Sequence, residues 1–154
     1  MYQSKPLPCG FKQTCFFARV SYINYERVYS IVNLHKVDAV NFLQLIVFGE
    51  IEEAYKKYVS TDLLHHNPYF KGDMASLKQG MMMSDGVNPN KVFDVKRTIE
   101  EGDMVMVYSH LKQNHDEVGA AVVHMFRFQE GKIVEMWDVG QPVPEDSPNE
   151  NGMF

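Results

Sequence analysis

Helical and strand-like periodicities are segregated along this chain rather than alternating. Apolar spacings of three and four residues occur only in its first half. From residue 93 onward, four runs rich in β-branched and aromatic residues follow one another: 93–99, 104–112, 118–128 and 133–141. Helices first and a strand meander after suggest a sheet that curls over the helices. The predicted class is α+β, with N-terminal helices packed in a strongly curved, mostly antiparallel sheet.

The helical half divides at its glycines and prolines. Val37, Val40, Leu43, Ile46 and Val47 share one helical face, which predicts a helix over 34–48 ended by Gly49. A second helix is expected over 51–59, where Glu52/Lys56 and Glu53/Lys57 stand four apart on the wet side. Residues 63–67 read as an extended piece closed by Pro68. A third helix is expected over 74–83, before Asp85-Gly86. Residues 1–32 differ: they carry four basic residues against the single acid Glu26, many aromatics and no clean period. We read 1–32 as an appended segment and 33–154 as the domain.

At 154 residues the chain is long enough for one domain with its own core. Its formal net charge of −5 argues against nucleic acid and against an anionic membrane surface as partners. Cys9 and Cys15 lack CxxC spacing and read as free thiols of a reducing compartment, with a cytoplasmic location as the expectation. No metal is expected. His65 and His66 are neighbours in an extended segment and point to opposite faces, and no helical His-x-x-x-His pair occurs. With neither a GxGxxG nor a Walker-type glycine loop, no nucleotide cofactor is expected either.

Two turns share one grammar, Glu100-Glu101-Gly102-Asp103 and Gln129-Glu130-Gly131-Lys132. Glutamate is poorly suited to positive φ. A type I turn followed by a left-handed glycine is therefore expected over a two-residue type I′ turn. With Gly131 in the bulge position, Phe126 would face Val134, His124 would face Met136 and Val122 would face Asp138. Those six side chains would then share a sheet face that is apolar except for one imidazole and one carboxylate. Such a pair in an apolar concavity suits general acid–base chemistry. The inference hangs on register, because a type I′ turn would put His124 and Asp138 on opposite faces.

A set of short strings, in order, resembles a known family. They are His66-Asn67-Pro68, Glu101-Gly102-Asp103, Phe126-Arg127-Phe128, Gly131-Lys132-Ile133-Val134-Glu135, Trp137-Asp138-Val139, Gln141-Pro142-Val143-Pro144 and Asn151-Gly152-Met153-Phe154. From about residue 34 to the end, the chain resembles SnoaL-like polyketide cyclases of the nuclear transport factor 2-like superfamily. The resemblance implies a cone-shaped α+β barrel with a deep pocket, usually paired as a homodimer. It also implies ring closure by aldol condensation without metal or cofactor. Asp138 matches the family's acid/base aspartate and His124 its supporting histidine, while His66 and Asn67 lie where the family places a polar pocket group. Met136 stands where many relatives have histidine.

The expected function is thus a cofactor-independent acid/base enzyme acting on a small hydrophobic carbonyl compound. Asp138 and His124 are its catalytic candidates, and His66, Asn67, Val122, Phe126 and Met136 the residues expected to bind substrate. Two other classes fit the same strings: a non-catalytic carrier of a small hydrophobic ligand, and a dimeric interaction module using the outer sheet face around Trp137.

Overall fold

The computed structural model describes the backbone of residues 20–154 and side chains from Leu34 onward. Cys9 and Cys15 lie outside it. Helix α1 (Val20–Val47) is longer than the 34–48 segment its apolar spacing announces. Gly49, at φ +83°, turns the chain into α2 (Ile51–Tyr58). The chain passes directly into strand β1 (Val59–His65). Helix α3 (Met74–Val87) is capped by Asp73, whose carboxylate accepts the Ser76 N–H at 2.8 Å. It runs through Gly86, one turn beyond its expected end. Strands β2 (Val92–Glu101), β3 (Met104–Lys112), β4 (Ala120–Gln129) and β5 (Lys132–Pro142) then follow as the meander.

The five strands form one sheet in the order β1-β5-β4-β3-β2. All neighbours are antiparallel except β1, which joins β5 in parallel. The sheet curves but does not close, so the expected barrel is an open one with β1 and β2 as its edges. Its inner face and the helices share one core. Phe42 of α1 sits edge-on to Phe126 of β4 at 5.7 Å and to Tyr55 of α2 at 5.9 Å. Val105, Val107 and Ile133 fill the sheet side of the same cluster. Among the described residues, no helix is long and apolar enough to cross a membrane.

The last hairpin departs from the expected register. Glu130 and Gly131 both have positive φ, +52° and +75°, which is the two-residue type I′ turn. Gln129 pairs with Lys132 and Phe128 with Ile133. A one-residue shift then follows: Arg127 pairs with Glu135, leaving Val134 as a bulge. Beyond it Phe126 faces Met136, His124 faces Asp138 and Val122 faces Gly140. The turn alone would have separated His124 from Asp138, and the bulge adds the odd residue that restores them to one face. Ile133, fully buried, takes the inward place expected of Val134. The first turn is also two residues long, with positive φ at Gly102 alone.

Candidate active site

A cavity of about 280 Å³ opens between the sheet and the helices. That is just below the roughly 300–1,000 Å³ typical of small-molecule sites. Phe126 and His124 of β4, with Met136 and Asp138 of β5, form its sheet wall. Phe42, Leu43 and Ile46 of α1 face them, Leu77 and Met81 of α3 close one side, and Phe70 comes from the loop before α3. Phe70 is admitted by a glycine: a Cβ on Gly80 would lie 2.2 Å from its ring.

Asp138 and Asn67 form the polar centre. The chain leaves β1 still extended, so Asn67 lies on the inward side with Leu63 and His65. Its amide oxygen accepts the Tyr69 N–H at 2.9 Å, a turn that Pro68 favours. That contact fixes which way the amide points. Its NH₂ donates to both oxygens of Asp138, at 3.0 and 2.9 Å. Two accepting oxygens are the pattern of an ionised carboxylate.

His124 pairs directly across the strands with Asp138, which puts their Cβ atoms roughly 5 Å apart. Burial pushes the imidazole down from 6.5 to about 4, with only partial compensation from the Asp138 charge, so the ring is neutral at neutral pH. Its Nδ1 is sealed off without a hydrogen-bond partner among the described residues, and the ring lines the cavity. A sealed lone pair costs less than a sealed N–H. The favoured tautomer therefore carries its proton on Nε2, where it can be donated.

Two expected members lie elsewhere. His66 points to the outer face, because adjacent residues of an extended chain cannot share a side and Asn67 has taken the inner one. There its Nε2 donates to Glu135 at 2.8 Å and its ring stacks on Trp137 at 4.7 Å. His66 and then Arg127, which also donates to Glu135, hold that carboxyl below its ordinary range. Val122, on the same face of β4 as His124 but buried opposite Ser109 and Gly140, lies beyond the residues that line the cavity.

Sequence reasoning missed three polar lining residues, Ser84, Lys91 and Gln113. Gln113 was findable. Val105, Val107, Ser109 and Leu111 alternate inward along β3, and the next step of two is Gln113. Lys91 had no such signal, since it precedes the first apolar residue of β2. Among the described residues, no cluster of three or more His, Cys, Asp or Glu is placed to hold a metal ion.

Three helices packed on an open curved sheet, with a cavity between the sheet and α1 and α3, are the nuclear transport factor 2-like fold. The chain belongs to the SnoaL-like polyketide cyclase family, whose pattern matches residues 37–144. Solved structures agree on the fold. An NTF2-like protein of unknown function from Cytophaga hutchinsonii is 14% identical with a TM-score of 0.56, covering 68% of this chain and 88% of that one. A candidate polyketide cyclase from Acidithiobacillus ferrooxidans is 16% identical with a TM-score of 0.57, covering 68% and 85%. A candidate ketosteroid isomerase from Kribbella flavida is 16% identical with a TM-score of 0.59, covering 77% and 85%. No curated protein matches the chain.

Proposed function

We propose that the protein is a cofactor-independent acid/base enzyme acting on a small hydrophobic carbonyl compound. The supporting observation is the Asn67–Asp138 pair in an otherwise apolar cavity, with neutral His124 beside it. Asp138, ionised, accepts a proton from the carbon next to the substrate carbonyl. The Nε2–H of His124 donates to the carbonyl oxygen as negative charge gathers there. Asp138 then returns the proton to the carbon, or the enolate carbon attacks a second carbonyl of the same molecule and Asp138 gives its proton to the alkoxide that forms, which completes an aldol ring closure. Deuterium uptake tests the first step. An acetylbiphenyl incubated in heavy water should exchange its methyl protons faster with the protein, and Asp138→Asn should lower that acceleration by about 10²–10⁴-fold.

A non-catalytic ligand carrier is the second reading. It is favoured by Asn67, which occupies both oxygens of the intended base, and by Met136, which puts a thioether where the resemblance expects histidine. Tight binding of the ketone without faster exchange would decide for it. Pairing of two copies through the outer sheet face belongs to the same proposal, supported by Leu64 and Val139, both more than half exposed there.

A further inference from the structure

Lys91 and Gln113 take no part in the chemistry proposed above, yet both line the cavity. Val92 pairs with Lys112 at the end of the β2–β3 ladder. Lys91 and Gln113 come immediately beyond that last pair, one from each strand, and line the cavity with Phe93 and Leu111. The Lys91 side chain is only 9% exposed. A buried ammonium needs a partner, and Asp85 supplies one, accepting from Nζ at 3.1 Å. Asp85 is itself held close to the turn between α1 and α2: a Cβ on Gly49 would meet its carboxylate at 2.6 Å.

Asp85 offsets the charge but uses one of three ammonium donors. Gln113 supplies the complement, for its Oε1 is buried without a hydrogen-bond partner among the described residues. The terminal torsion of glutamine is broad, so a small rotation turns that oxygen toward the lumen its side chain already lines. One neutral group satisfies both. A hydroxyl accepts from the ammonium and donates to the amide oxygen, whereas a carboxylate could not donate to Gln113 and would face the Asp85 charge. Gln113 lies six residues along β3 from Val107, the partner of His124, so this pair is remote from Asp138.

We infer that Lys91 and Gln113 form a second polar anchor, binding a hydroxyl at the far end of an elongated apolar substrate whose reacting carbonyl lies at Asp138. The inference rests on the cavity being the ligand site proposed above. It narrows the substrate class to hydroxylated ketones and makes Lys91 a determinant of specificity.

Calorimetric titration with two probes tests it: an acetylbiphenyl, and its congener with a hydroxyl at the far para position. The wild type should bind the hydroxylated ketone about tenfold more tightly, the size of a hydrogen bond to a charged donor. Lys91→Met should erase that preference. Equal affinities in the wild type, no binding of either probe, or equal weakening of both by Lys91→Met overturns the anchor. Should Lys91→Met fail to fold, Gln113→Leu decides. It should cut the preference severalfold, and an unchanged preference counts against the anchor. Methyl-proton exchange separates the two proposals. Hydroxyl preference without exchange leaves the anchor standing and removes the acid/base chemistry, and exchange without preference does the reverse.

Discussion

His124 couples the site to stability through its proton. In the unfolded chain an imidazole takes up a proton near pH 6.5, while in the folded protein burial holds that uptake down to about 4. Between those values the unfolded state binds more protons. Stability is therefore complete above pH 6.5 and declines as pH falls through 4. A shift of this size corresponds to about 3 kcal/mol. Urea unfolding should accordingly show the wild type losing about 3 kcal/mol more than His124→Phe between pH 7 and pH 4. Parallel losses would mean that the ring is protonated in the native state. The same residue marks what the sequence could reveal of the site. His124 and Asp138 could be put on one face from strand alternation and the family strings together, and Asn67 was suggested by the strings alone. His66 was misplaced because the string His66-Asn67 was taken as a unit, although neighbours in extended chain face opposite ways. Lys91 was invisible, since its role depends on Asp85, a partner set by the packing of α3 against the turn at Gly49.

At the scale of elements, α3 and the loop before it shape the cavity through the contact between Gly80 and Phe70. The ring can move, so a methyl group at this point displaces it and leaves the core in place. Gly80→Ala should gain slightly in helix propensity, within about 1 kcal/mol, and lose ketone affinity severalfold. Thermal unfolding and calorimetry together check this. Reduced stability with unchanged affinity would place Phe70 outside the binding surface. Element identity was readable here because helical spacing dominates up to α3 and strand-like runs follow it, with the short β1 as the exception. Turn geometry was not. Glu130 at φ +52° looks unfavourable from sequence, and cross-strand pairing on both sides outweighs its local strain. The parallel pairing of β1 with β5 was hidden for another reason: it joins segments about seventy residues apart, which no local pattern reports.

At the scale of the molecule, the described core gathers on the C-terminal half of α1. Ala39, Phe42, Leu43 and Val47 are buried, whereas Leu34 and Val37 are more than half exposed. His35 already ties this half to the sheet. Its ring stacks on Phe128 at 4.6 Å and its Nδ1 lies 3.5 Å from the buried carboxylate of Glu100. Asparagine is among the favoured N-cap residues, so a chain beginning near Asn33 has a ready helix start. We expect such a chain to unfold within about 5 °C of the full-length protein, equivalent to roughly 1–2 kcal/mol at this size. A larger fall in Tm would make residues 1–32 part of the domain and not an appendage.

The bulge at Val134 also bears on how this hairpin tolerates insertions and deletions. Losing residue 134 would let Ile133 run straight on to Glu135, with His124 still opposite Asp138. The spacing between turn and aspartate is therefore elastic by one residue. Aligning relatives by counting from Gly131 would misidentify the residue across from His124; counting back along the ladder from Asp138 would not.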